Sequence, residues 1–107
     1  MTNRYRPEHN LLLAALPATE LDRLRPRFEP VAMPLGEVLY ESGGRQGHVY
    51  FPASAIVSLL YVMEDGASAE IAVVDYEGMV GVALFMGGES TPSRAVVQSG
   101  GRGFRLA

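Results

Sequence analysis

Residues 55–74, AIVSLLYVMEDGASAEIAVV, hold two apolar runs around an acidic, glycine-ended break. The first run covers residues 55–63 and the second residues 67–74. Asp65-Gly66 between such runs predicts a tight hairpin with positive φ at both turn residues. Two paired strands of this length set the chain towards antiparallel β structure.

The same pattern continues on both sides. Upstream, Glu29–Met33, residues 38–41 and residues 48–51 are short and rich in β-branched or aromatic residues. Pro34, Gly36, Gly43, Gly44, Gly47 and Pro52 punctuate them. Downstream, residues 75–78 read as a turn and residues 81–86 (GVALFM) as a single helical turn opened by glycine. Residues 87–92 read as a loop and residues 93–98 as a strand. Gly100, Gly101 and Gly103 predict another turn, with a last strand over residues 104–106.

The first 27 residues have a different period. Leu11, Leu12, Ala15 and Leu16 predict one apolar helix face, ended by Pro17. Leu21 and Leu24 predict a second short helix, with Thr19 and Asp22 as its capping pair and Pro26 at its close. The expected fold class is mainly β with short flanking helices. Residues 1–28 form the helical entry and residues 29–107 the roll or barrel, with residues 8–107 one compact unit.

Composition narrows the chemistry. A chain of 107 residues is one domain, with 48% hydrophobic residues and enough length for a core. It has no cysteine, which removes disulfides, thiolate nucleophiles, iron–sulfur clusters and cysteine zinc sites. His9 and His48 are too few and too far apart for a metal-binding cupin-type enzyme. No serine stands in a Gly-x-Ser-x-Gly turn, which argues against a serine hydrolase. The net charge is −3, and all nine basic residues are arginine. Only Arg45 lies within residues 28–93, against nine acids, so no basic face for nucleic acid is visible. No apolar run reaches the length of a spanning helix, and the start lacks a secretory signal. The expectation is a cytoplasmic protein without a membrane partner.

Three stretches in order carry a family resemblance: LLLAALPATELDRLRPRFEPV, then LGEVLYESGGRQGHVYFPASAIVSLLYVMEDG, then EGMVGVALFMGGESTPSRAVVQS. Together they resemble the N-terminal sensor domain of the Crp/Fnr family of bacterial transcription regulators, and more widely the cyclic-nucleotide-binding roll. The resemblance covers residues 10–106, nearly the whole chain. It implies an antiparallel, jelly-roll-like β-roll flanked by helices.

In the resembled family the third stretch is the phosphate-binding cassette. A Gly-Glu pair opens it, with the Glu on the ribose. An Arg in a Pro-Arg-x-Ala-x-Val pattern pairs with the phosphate, a contact that supplies both charge and geometry. This sequence keeps the glycine as Gly81 but has Val82 in place of the Glu. Ser93 stands in the Arg position, and Arg94 is one residue late. A one-residue shift on a strand sends the side chain to the other face. The candidate ligand residues are therefore Gly78, Gly81, Val82, Ala83, Leu84, Ser93, Arg94 and Ala95. Cyclic AMP is expected to bind weakly or not at all, and Val82, Leu84 and Phe85 are expected to fill the pocket unless it serves another ligand.

The resemblance implies a sensor with a small-molecule effector, a homodimer in the full-length regulator, and no catalysis. DNA would be met only through a helix-turn-helix, which these 107 residues do not contain; the chain is expected to be part of a longer protein. The alternative is a stand-alone small-molecule or nucleotide-binding module with no DNA partner. No cofactor is expected, with a cyclic nucleotide the one ligand the resemblance suggests.

Overall fold

The hairpin at residues 56–74 forms, but its turn differs from expectation. In the computed structural model, which describes residues 6–40, 48–81 and 93–106, Ile56–Val62 pairs antiparallel with Ser68–Val74. Gly66 has φ +88°, and among the described residues none other than glycine has positive φ. Gly66 N–H donates to the Met63 carbonyl at 3.0 Å, and Met63 N–H to Ala67 at 2.8 Å. This is a three-residue loop with one left-handed glycine, another hairpin solution that suits strand twist. The Asp65 carboxylate accepts from Ala67 N–H at 3.0 Å, so aspartate shapes the turn through its side chain.

Seven strands make two sheets. We number them β1 Glu29–Met33, β2 Val38–Tyr40, β3 Val49–Pro52, β4 Ile56–Val62, β5 Ser68–Val74, β6 Ser93–Ser99 and β7 Gly101–Leu106. One sheet has the order β1-β7-β3 and the other β2-β6-β4-β5. All pairings are antiparallel. Two short helices precede them, α1 Leu11–Ala14 and α2 Ala18–Leu24, with 3-10 turns at Pro7–His9 and Arg25–Arg27. None of these helices is long and apolar enough to cross a membrane.

Alternation along the three-stranded sheet creates two cores. Val49, Phe51 and Phe104 point to the helices, where they meet Leu13, Leu21 and Phe28. The Phe28 ring stands edge-on to Phe51 at 5.6 Å and to Phe104 at 6.4 Å. The other face looks into the roll, where Met33, Ala55, Val57, Val80, Ala95 and Val97 are fully buried between the sheets.

The helical entry departs from its expected face. Leu13 is buried, whereas Leu11 and Leu12 are exposed and Leu16 is only partly buried. A four-residue helix shows only one turn to the core, so a longer helix period chooses the wrong leucines. The Thr19–Asp22 cap is also absent; Pro17 is the N-cap of α2 and no side chain caps it. Asp22 accepts from Arg25 instead, at 3.2 Å.

The expected glycine turn at residues 100–103 is also corrected. Gly101 and Gly103 lie inside β7, paired with Met33 and Val31. A Cβ on Gly101 would sit 2.6 Å from Ala55 N, and one on Gly103 2.8 Å from the Phe51 carbonyl oxygen. The glycines let neighbouring backbone pass close to the strand. Gly103→Ala therefore costs on the order of 1–3 kcal/mol through overpacking, read as a lower urea midpoint. An unchanged midpoint contradicts the close approach.

Asn10 joins the helical entry to the roll. It is wholly buried. Its Oδ1 accepts from the N–H groups of Leu12 and Leu13 at 3.0 and 3.2 Å, capping α1. Its Nδ2 donates to the carbonyls of Pro52 and Gly78 at 2.9 and 2.8 Å. Leu11 N–H adds a 2.6 Å bond to the Tyr76 carbonyl. Asn10→Ala removes the cap and strands two carbonyls, so the expected loss is about 2–4 kcal/mol. Asn10→Asp keeps the cap acceptor but faces the same carbonyls with no donor. It is expected to be no more stable than Asn10→Ala in urea unfolding. A wild-type midpoint for either variant contradicts the assigned role.

Arg25 ties the first turn to α2, meeting Glu8 at 2.7 Å and Asp22 at 3.2 Å. The Arg25 hydrogen bond holds the Glu8 carboxyl below its usual 4.5. A lowered folded value stabilises above the unfolded carboxyl range and stops doing so as pH falls through the folded value. The pair is part-exposed, so its effect is small. Chemical denaturation at pH 7 and at acid pH checks it: the wild type loses more stability than Glu8→Gln as pH drops below about 4.5.

Candidate functional site

The cassette stretch begins at a rigid base. Gly78 N–H bonds the Asp75 carbonyl at 3.2 Å, and the Asp75 carboxylate accepts from Glu77 N–H at 2.9 Å. The Gly78 carbonyl is held by Asn10. Val80 is then locked to Tyr50 by two 2.8 Å backbone bonds, one in each direction. Gly81 follows, buried and at φ +108°, a conformation that favours glycine. The chain therefore enters residues 82–92 from a fixed point and in a fixed direction. Val82, Ala83 and Leu84 lie outside the described residues, as does Phe85, so their expected roles have no structural account here.

The chain returns on β6. Ser93 opens that strand opposite Tyr61, Arg94 lies opposite Leu60, and Ala95 opposite Leu59. Ala95 also faces Tyr40 of β2. Ala95 is completely buried in the core between the sheets. The register is regular over residues 93–97, so strand alternation carries Arg94 to the outer face of the sheet. The same outer face carries Ser58, whose hydroxyl lies 2.7 Å from Glu70 Oε1 and 2.7 Å from Gln98 Oε1.

The structure thus brings Gly81 and Ala95 to the inner side of the roll and separates Arg94 from them. It also supplies residues that sequence reasoning missed. Tyr40, Leu59 and Val74 pack partly buried around Ala95 and Val57 and leave an apolar floor beside the two ends of the cassette stretch. Alternation within residues 56–62 was the available signal for Leu59, because Val57 and Leu59 share a face two residues apart. Tyr40 carries no such signal, since β2 is only three residues long. Tyr61 is 46% exposed, while Phe51 is buried.

Among the described residues no group of three His, Asp or Glu is placed to hold a metal.

No protein-family model matches the chain, and no curated protein does. Solved structures do match. The N-terminal domain of a transcriptional regulator from Streptomyces coelicolor superposes with a TM-score of 0.78 at 21% identity, over 94% of this chain and 72% of that one. The regulatory domain of Toxoplasma gondii PKA, crystallised with cAMP, gives 0.81 at 11% identity, over 100% of this chain and 43% of that one. The chain has the cyclic-nucleotide-binding β-roll fold. The Thermus thermophilus Catabolite Activator Protein shares this β-roll, with a TM-score of 0.74 at 20% identity, over 89% of this chain and 45% of that one. The chain spans less than half the length of the latter two proteins. The antiparallel β-roll implied by the family resemblance is therefore the observed one.

Proposed function

We propose that this β-roll is the ligand-sensing domain of a Crp/Fnr-like transcription regulator, with a pocket that does not take cyclic AMP in the usual way. The observation that carries this reading is the β6 register. Ala95 occupies the inner face and Arg94 the outer one, so the single basic residue of the strand is turned away from the pocket. The sequence adds Val82 where the resembled pattern has a ribose-binding Glu, and Ser93 where it has the phosphate-binding Arg. The likeness to regulator domains from Streptomyces and Thermus supports the sensor reading.

In this reading the β-roll performs binding rather than catalysis. A small effector of low charge rests against Tyr40, Leu59 and Val74. The sequence has Ser93 in place of the arginine of the resembled pattern, which favours a neutral ligand over a phosphate. The bound effector biases the position of the cassette stretch, and that bias reaches partner subunits and DNA through parts of the regulator beyond the β-roll. Residues 75–80 stay fixed meanwhile, because Asn10 and Tyr50 hold them.

Isothermal titration with cyclic AMP tests the reading. The wild-type chain is expected to show no submicromolar binding. Each missing charge-assisted contact is worth about 1.5–3 kcal/mol. Restoring both anchors in Val82→Glu/Ser93→Arg is therefore expected to tighten cyclic AMP binding by a factor of about 10² or more. Submicromolar binding by the wild type overturns the proposal.

A further inference from the structure

The β-roll has an opening on a side that the cassette stretch does not use. β1 ends one sheet and β2 ends the other, and the tight turn at residues 34–37 joins them. Between these two edges lies a cleft of about 340 Å³. Residues 30–33 line one wall and residues 37–39 the other, with Tyr50 and Arg105 completing the lining. Consecutive residues on each wall mean that the strand edges themselves, with their backbone polar groups, form the sides. None of Gly78, Gly81, Arg94 and Ala95 lines this cleft.

We infer that this seam is a second ligand site, for a small organic monocarboxylate with a short apolar body. The volume lies at the lower end of the range for ligand pockets. Arg105 is the sole basic residue in the lining. Glu29 Oε1 takes its Nε and Nη2 hydrogens. A guanidinium has five N–H donors, so this partner leaves donors for a ligand carboxylate. Glu29 already neutralises part of the charge and Glu37 stands on the opposite wall, which disfavours a dianion such as phosphate. Val31 and Leu39 supply apolar contact for a short chain.

Hexanoate is the probe, with hexan-1-ol as its uncharged counterpart, followed by methyl NMR on the full chain. Hexanoate is expected to shift the Val31 and Leu39 methyl signals saturably and to bind more tightly than hexan-1-ol. Arg105→Gln is expected to weaken hexanoate by about tenfold, in line with the loss of one charged hydrogen bond, and to leave hexan-1-ol unchanged. A urea midpoint verifies that the variant folds. If it does not, Glu37→Gln decides: tighter hexanoate binding, from removal of a carboxylate in the lining, supports the site, and unchanged or weaker binding overturns it. Equal binding of the acid and the alcohol overturns the proposal. So does saturable shifting confined to Val74 and Val97, which lie in the interior beside the cassette stretch.

Discussion

The Asn10 side chain is the constraint on which the arrangement of the whole β-roll rests. Four hydrogen bonds leave one buried amide, and they run to three separate places: the start of α1, the end of β3 and the turn before Gly81. Each partner is a backbone group that would otherwise be buried without a bond or opened to water. The cost of leaving such groups unpaired makes the junction all-or-none. The helical entry cannot slide over the sheet without breaking the base of the cassette stretch at the same time.

Strand β7 is the second organising element, because it separates the two cores. Phe104 faces the helices, while Gly101 and Gly103 alternate with it on the inner side. The large residue fills the space under α1 and α2. The glycines let the backbone of residues 51–55 approach within distances that no Cβ would allow. The helix-facing core can therefore be dense while a cleft stays open at the β1–β2 seam, between the edge strands of the two sheets.

Much of this was legible in the residues. The hairpin at residues 56–74, the short strands and the position of Gly81 all follow from local rules: apolar runs, turn residues and glycine's access to positive φ. The errors have a common cause. Thr19 and Asp22 obey a local capping rule, yet α2 starts at Pro17 and Asp22 pairs with Arg25. Gly101 and Gly103 obey a local turn rule, yet they serve close approach to residues far away in the chain. Leu11 and Leu12 fit a helix face, yet a helix of one turn buries Leu13. In each case a contact made in the folded chain overrode the expected local preference.

The sequence by itself determined the mainly β class and the helical entry, because these depend on residue type and spacing. It also placed Arg94 one residue out of step. Only the tertiary structure decided what that step means. The pairing of β6 with β4 and β2 buries Ala95 between the sheets, and alternation then forces Arg94 outwards. Tertiary structure alone also produced the Asn10 junction and the seam lined by Tyr50 and Arg105. Those residues are distant in sequence, and nothing in their local patterns records that the folded sheets bring them together.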